Sequence, residues 1–185
     1  MKRRYLILII ILIIIGSTIS FNYIKIYSTD ETNLENHIKW FINRPTIITD
    51  KIDIKKAIDI GNKKYVLYTY NDDYRGDAEL VKGLNGKYKI EFTNGGSNLF
   101  QYRVLVINKL KYLVVAGKNY DLRIDYVKVT LDGHEYKIVV PQQEYFIVYY
   151  PVPNDTQSIF PENGLELFNK NNIEISNDIY FNYSH

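Results

Sequence analysis

Apolar and polar positions divide the chain into three regimes. Leu6 to Ile15 is an unbroken block of leucine and isoleucine, and weaker apolar character continues through "GSTISFNYI" to Ile24. Such a block has no polar face, which separates it from an amphipathic helix lying on a soluble core. Residues 5–24 form a helix of about 30 Å at ~1.5 Å per residue, matching the ~30 Å hydrocarbon core of a bilayer. Next, Leu34, Ile38, Phe41 and Ile42 recur at helical spacing until Pro45. Ser28 or Thr29 can cap that helix, and Asp30 and Glu31 suit its positive end. This predicts a short amphipathic stalk over 25–45, whose stripe lies on the domain or on the membrane face.

From residue 46 onward the period is two. In "KYKIEFT" Tyr88, Ile90 and Phe92 alternate with Lys87, Lys89, Glu91 and Thr93. Further alternating runs, among them "KKYVLYTY", "FQYRVLVI", "KYLVVAG", "HEYKIVV" and "EYFIVYY", follow at about ten-residue spacing. Turn signals separate them: Gly61-Asn62, Asn85-Gly86, Asn94-Gly95-Gly96, Asp132-Gly133 and Pro151-Val152-Pro153. The pattern predicts an all-β domain over 46–185, an antiparallel β-sandwich or partly open barrel. Leu165–Phe168 with Ile173–Ile175 reads as one more hairpin. "DIKKAIDI" (53–60) fits either a short helix or a strand, and the closing "NDIYFNYSH" has too little pattern to place.

Charge fixes the orientation of the first segment. Lys2, Arg3 and Arg4 form a cytoplasmic basic tail over 1–4, and the positive-inside rule then places the bulk of the chain outside the cell membrane. The competing reading is a secretory signal cleaved after Thr18-Ile19-Ser20, which yields a secreted protein. Phe21, Tyr23, Ile24 and Ile26 carry apolar character past that point and favour the uncleaved anchor. Without Lys2, Arg3 and Arg4 the 23 basic residues fall to 20, against 21 acidic ones, so no basic surplus supports nucleic-acid binding. The absence of cysteine excludes a disulfide scaffold and thiolate metal sites. The 18 tyrosines accompany abundant Ile, Asn and Lys, all with AT-rich codons, and carry no weight as a recognition surface.

Candidate chemistry is sparse, and no cofactor or metal site is expected. Gly83 and Gly86 with Lys87 fail the G-x-x-x-x-G-K-[ST] spacing of a phosphate loop, and Tyr88 follows the lysine. Asn85-Gly86 reads instead as a two-residue type I′ turn. His37, His134 and His185 are too scattered to form a zinc site. Asp72, Asp73 and Asp77 fall in a presumed loop but miss the calcium-loop pattern, and Arg75-Gly76-Asp77 reads as a turn. Ser97 lacks the nucleophile elbow. Glu79, Glu91, Glu135 and Glu144 could supply a pair of carboxylates for glycoside hydrolysis, although acidic residues on the solvent side of a strand are ordinary.

In layout, "MKRRYLILIIILIII", the missing cysteines and the β-rich remainder resemble small single-pass exported proteins of low-GC Gram-positive bacteria. That grouping carries no activity with it. The expectation is non-catalytic binding of a protein or envelope partner by a domain tethered to the bilayer through residues 5–24. The alternatives are an anchored envelope hydrolase or an accessory subunit of a membrane complex. Tyr145, Phe146, Tyr149 and Tyr150 are the candidate partner surface. Alternation gives Tyr145, Ile147 and Tyr149 one face and Phe146, Val148 and Tyr150 the other; both are buried if the strand is central.

Overall fold

A computed structural model describes residues 2–44, 46–71 and 74–183, with side chains from Tyr5 onward. The basic side chains of Lys2, Arg3 and Arg4 therefore lie outside the described residues, as do Pro45, Asp72, Asp73 and His185. The first helix, α1 (Lys2–Ile26), holds the 22-residue apolar stretch Tyr5–Ile26, exposed along its length apart from a half-buried Tyr23.

The capping residue of the next segment is Asp30 rather than Ser28 or Thr29. Its carboxylate accepts from the Asn33 amide at 3.0 Å and starts a 3-10 turn that leads into α2 (Leu34–Ile42). The Thr32 hydroxyl bonded to that carboxylate is the main reason its pKa lies below the ordinary value. Leu34 and Ile38 are buried against Ile52, Val66, Tyr68 and Leu80, so the apolar stripe of α2 lies on the β domain.

That domain is mostly β, in three antiparallel sheets. The first is a meander of β1 (Ile52–Ile60), β2 (Lys63–Tyr70), β3 (Tyr74–Lys82) and β4 (Tyr88–Gly96). The ambiguous segment 53–60 is thus strand. The second sheet has the order β5 (Phe100–Ile107), β6 (Leu110–Lys118) and β9 (Tyr145–Val152). The third places β7 (Tyr126–Leu131) between β10 (Glu166–Phe168) and β8 (His134–Val139). The hairpin expected after Leu165 is reduced to β10 and a single bridge, Phe168 with Glu174. The unplaced C-terminal stretch forms α3 (Ser176–Tyr183), which buries Ile179 in the core.

Alternation gives the second sheet two buried faces. Leu113, Val115 and Phe146 join Val127, Val129, Leu131 and Leu167 in one core. Val114, Ala116 and Ile147 join Ile60, Tyr65 and Leu67 in another.

Three turns differ from the expected ones. Asn94-Gly95-Gly96 belongs to β4, paired with Asp77, Gly76 and Arg75, and Pro151 belongs to β9, opposite Tyr112. Asn85-Gly86 is not a two-residue turn. Five residues, Gly83 to Lys87, join β3 to β4, and of the pair only Gly86 has positive φ, +76°. The true two-residue loop with both residues at positive φ, besides the expected Asp132-Gly133, is Asn108-Lys109.

Gly83 is needed for contact with α1. A Cβ there would come within 2.6 Å of the Tyr27 ring and 2.7 Å of the Tyr23 hydroxyl. The β3–β4 loop is docked on the end of α1, with the Leu84 amide donating to the Tyr23 hydroxyl and the Asn85 side chain donating to the Tyr27 carbonyl at 2.9 Å.

Candidate functional site

The site begins with the register of β4. Glu79 opposes Phe92 while Leu80 opposes Ile90, so Glu91 is an extra residue on β4. Such a bulge reverses the alternation beyond it. Tyr88 and Ile90 therefore point toward α2, whereas Phe92 points the other way, toward β5. The expectation of one shared face for Tyr88, Ile90 and Phe92 fails at this residue.

On that second face Asp77 and Glu79 meet Gln101 and Arg103 of β5. An Arg103 terminal nitrogen reaches the Asp77 carboxylate at 2.5 Å and that of Glu79 at 2.7 Å. Its guanidinium carbon lies 3.9 Å from the centre of the Phe92 ring. Lys63 continues the alternation of charge, 3.2 Å from Glu79 and 3.3 Å from Glu91. Asp77 is only 1% exposed. Burial raises its pKa, and the adjacent guanidinium opposes that rise. Burial also raises the hydroxyl of neighbouring Tyr65 well above the usual tyrosine range.

A cavity of about 380 Å³ opens beside these groups. Asp77, Asn94, Gln101 and Arg103 supply its polar wall, and Phe92, Tyr102, Phe160 and Tyr180 much of the aromatic one. The Tyr180 hydroxyl is pushed up to about 12, chiefly by burial. Gln101 is 5% exposed and accepts from Asn94 at 3.2 Å. Its amide nitrogen, like Nε of Arg103, has no partner among the described residues. Buried donors of this kind are costly to leave unpaired. A cavity with an aromatic wall and a polar wall whose two charged groups already neutralise each other suits an uncharged ligand with apolar and polar faces.

The other candidates resolve as follows. Asp77 does not line a solvated loop, and Arg75-Gly76-Asp77 is β3 rather than a turn. Glu79 and Glu91 do come together, but through Lys63. Glu135 and Glu144 are exposed and pair elsewhere, with Lys128 at 2.9 Å and Lys118 at 3.1 Å. Ser97 is exposed beyond β4. Among the described residues no group of three His, Asp or Glu side chains is placed to hold a metal.

Of the β9 aromatics, Phe146 is fully buried at 0% exposure, packed near Phe100, and is removed from any partner surface. Tyr145 is half-buried, with the Lys55 amine 5.4 Å from its ring centre. Tyr149 and Tyr150 are 48% and 42% exposed but lie on opposite faces, against Tyr112 and Tyr136 respectively. The four do not form one patch.

No protein-family model matches the chain, and no curated protein or solved structure matches it either.

Proposed function

We propose that this is a single-pass membrane protein whose β domain, outside the cytoplasm, binds an envelope partner through the cavity between β4 and β5. The anchor reading is supported by an apolar helix that the domain touches only at its end, through Tyr23, and the orientation by Lys2, Arg3 and Arg4. Stacking of the three sheets as a sandwich is supported by the core clusters shared by neighbouring sheets. The observation that carries the binding reading is a cavity of ligand size, walled by Phe92, Tyr102, Phe160 and Tyr180 on one side and by Asp77, Asn94, Gln101 and Arg103 on the other. Hydrolysis is disfavoured because a general acid must be free to give its proton to substrate. Glu79 is instead clamped between Arg103 and Lys63.

The test is a photocrosslinking residue at Asn98, an exposed position on the cavity rim, carried on the full chain in intact cells. The proposal expects an adduct at 98, lost in Gln101→Met and absent when the same residue replaces exposed Val139. No adduct at 98, or one indifferent to Gln101→Met, contradicts it.

A further inference from the structure

The β3–β4 loop and the far end of α2 present apolar side chains to solvent beside the end of α1. Leu84 is 98% exposed, the highest value among the exposed large hydrophobic residues. Yet its position is fixed, because its amide is bonded to Tyr23 and its neighbour Gly83 is pressed against Tyr23 and Tyr27. Trp40, 63% exposed, faces the groove between α2 and the end of α1, which Lys25, Ile26, Arg44 and Lys89 also line. The Arg44 guanidinium lies 4.1 Å from the centre of the Trp40 ring.

We infer that Leu84 and Trp40 dock the domain on the bilayer, with Leu84 in the outer acyl region, Trp40 in the headgroup layer, and Lys25, Arg44 and Lys89 facing anionic headgroups. The inference rests on the proposed membrane anchor. Given that anchor, depth follows from contact. Tyr23 lies within the apolar span, three residues or ~4.5 Å from its end at Ile26. Whatever bonds Tyr23 is held at that depth, and Leu84 does. Trp40 lines the groove at the level of Lys25 and Ile26, where indole rings favour the interface. Lys25 and Arg44 beside it can pair with the phosphate oxygens of lipid headgroups. The docking also accounts for an isolated leucine at the tip of a loop that could have been polar at no cost to the core.

Trp40 is the sole tryptophan, so its fluorescence reports this site in the whole protein. The full chain is reconstituted into vesicles of phosphatidylcholine and phosphatidylglycerol carrying nitroxide quenchers at the headgroup or along the acyl chain. Flotation is measured first. The expected result is that Trp40 loses most of its emission to the headgroup quencher. In Trp40→Phe with Leu84→Trp, the new indole loses more to a shallow acyl-chain quencher and emits further to the blue. A chain that does not float removes the anchor reading and this inference with it. A chain that floats while both indoles remain unquenched, with the emission of hydrated tryptophan, overturns the docking alone.

Discussion

The two faces of the β5–β6–β9 sheet are built differently. Toward β7, β8 and β10 its centre is apolar, with Phe100, Leu113, Val115 and Phe146 closing on Val127, Val129, Leu131 and Leu167. Toward β1–β4 only half of the face is apolar. Leu105, Ile107, Val114 and Ala116 pack there against Tyr65 and Leu67. Along β5 that side becomes Arg103 and then Gln101, with Arg103 bonded directly to Asp77 and Glu79 beside a cavity. An apolar interface gains from burial alone, whereas a buried ion cluster returns little over the desolvation it suffers. The first face holds the fold together; the second carries buried charge that stability does not require.

The comparison can be broken most forcefully at Phe146. Phe146→Ala leaves a cavity in the apolar face and should cost about 3–5 kcal/mol, read by chemical denaturation. A small loss there would mean that this face is not the main core.

Arg103→Met comes next, at or below the low end of the ~3–5 kcal/mol for breaking a buried pair, because Glu79 keeps Lys63 as a partner. Its pH dependence separates it from a packing defect. Burial raises the folded-state pKa of Asp77 above its ordinary 3.8. The stability linked to its protonation is therefore fully present below that ordinary value and is lost as pH rises through the raised one. Removing the guanidinium that opposes the rise lifts the folded value further. The deficit of Arg103→Met should thus be greatest near neutral pH and shrink on acidification, whereas that of Phe146→Ala should not follow Asp77. Denaturation curves across that range check both.

Asn119→Ala is a smaller test at the apolar side. The Asn119 side chain bonds both the amide and the carbonyl of Ile124 at 2.8 Å while 1% exposed. Leaving the Ile124 amide unpaired, and its carbonyl with only the Gln142 side-chain amide at 3.3 Å, should cost about 1–3 kcal/mol, with no effect on ligand capture at Asn98. The smallest change has the opposite sign. Lys109 has a φ of +68° in the β5–β6 turn, and Lys109→Gly should stabilise by up to about 1 kcal/mol, seen as a higher denaturation midpoint.

What the sequence disclosed follows from which contacts are local. Period-two alternation located most strands, and Asp132-Gly133 marked its hairpin, because turn and pleat are properties of adjacent residues. The cavity was hidden because it depends on layers meeting. Asp77 and Glu79 read as a solvated strand face until β5 is laid over them, and α2 covers the opposite side through Leu34 and Ile38. The bulge at Glu91, which reverses Phe92, has no local marker in "KYKIEFT". One signal was available. "FQYRVLVI" runs Gln101, Arg103, Leu105, Ile107 along a single face, polar at one end and apolar at the other, as a strand does when it leaves a core for a site. For α3 the polar residues of "SNDIYFNY" obscured any helical stripe, and only Ser176 and Ile179 are buried.

The proposed role of the cavity rests on the proposed anchor and on the domain lying outside the cytoplasm. The most direct measurement is a C-terminal tag on the full chain, followed in the membrane fraction of wall-stripped intact cells treated with protease. The account predicts a membrane-bound tag that the protease removes. A tag protected inside intact cells would contradict it, as would one released to the medium on a chain lacking its first twenty or so residues.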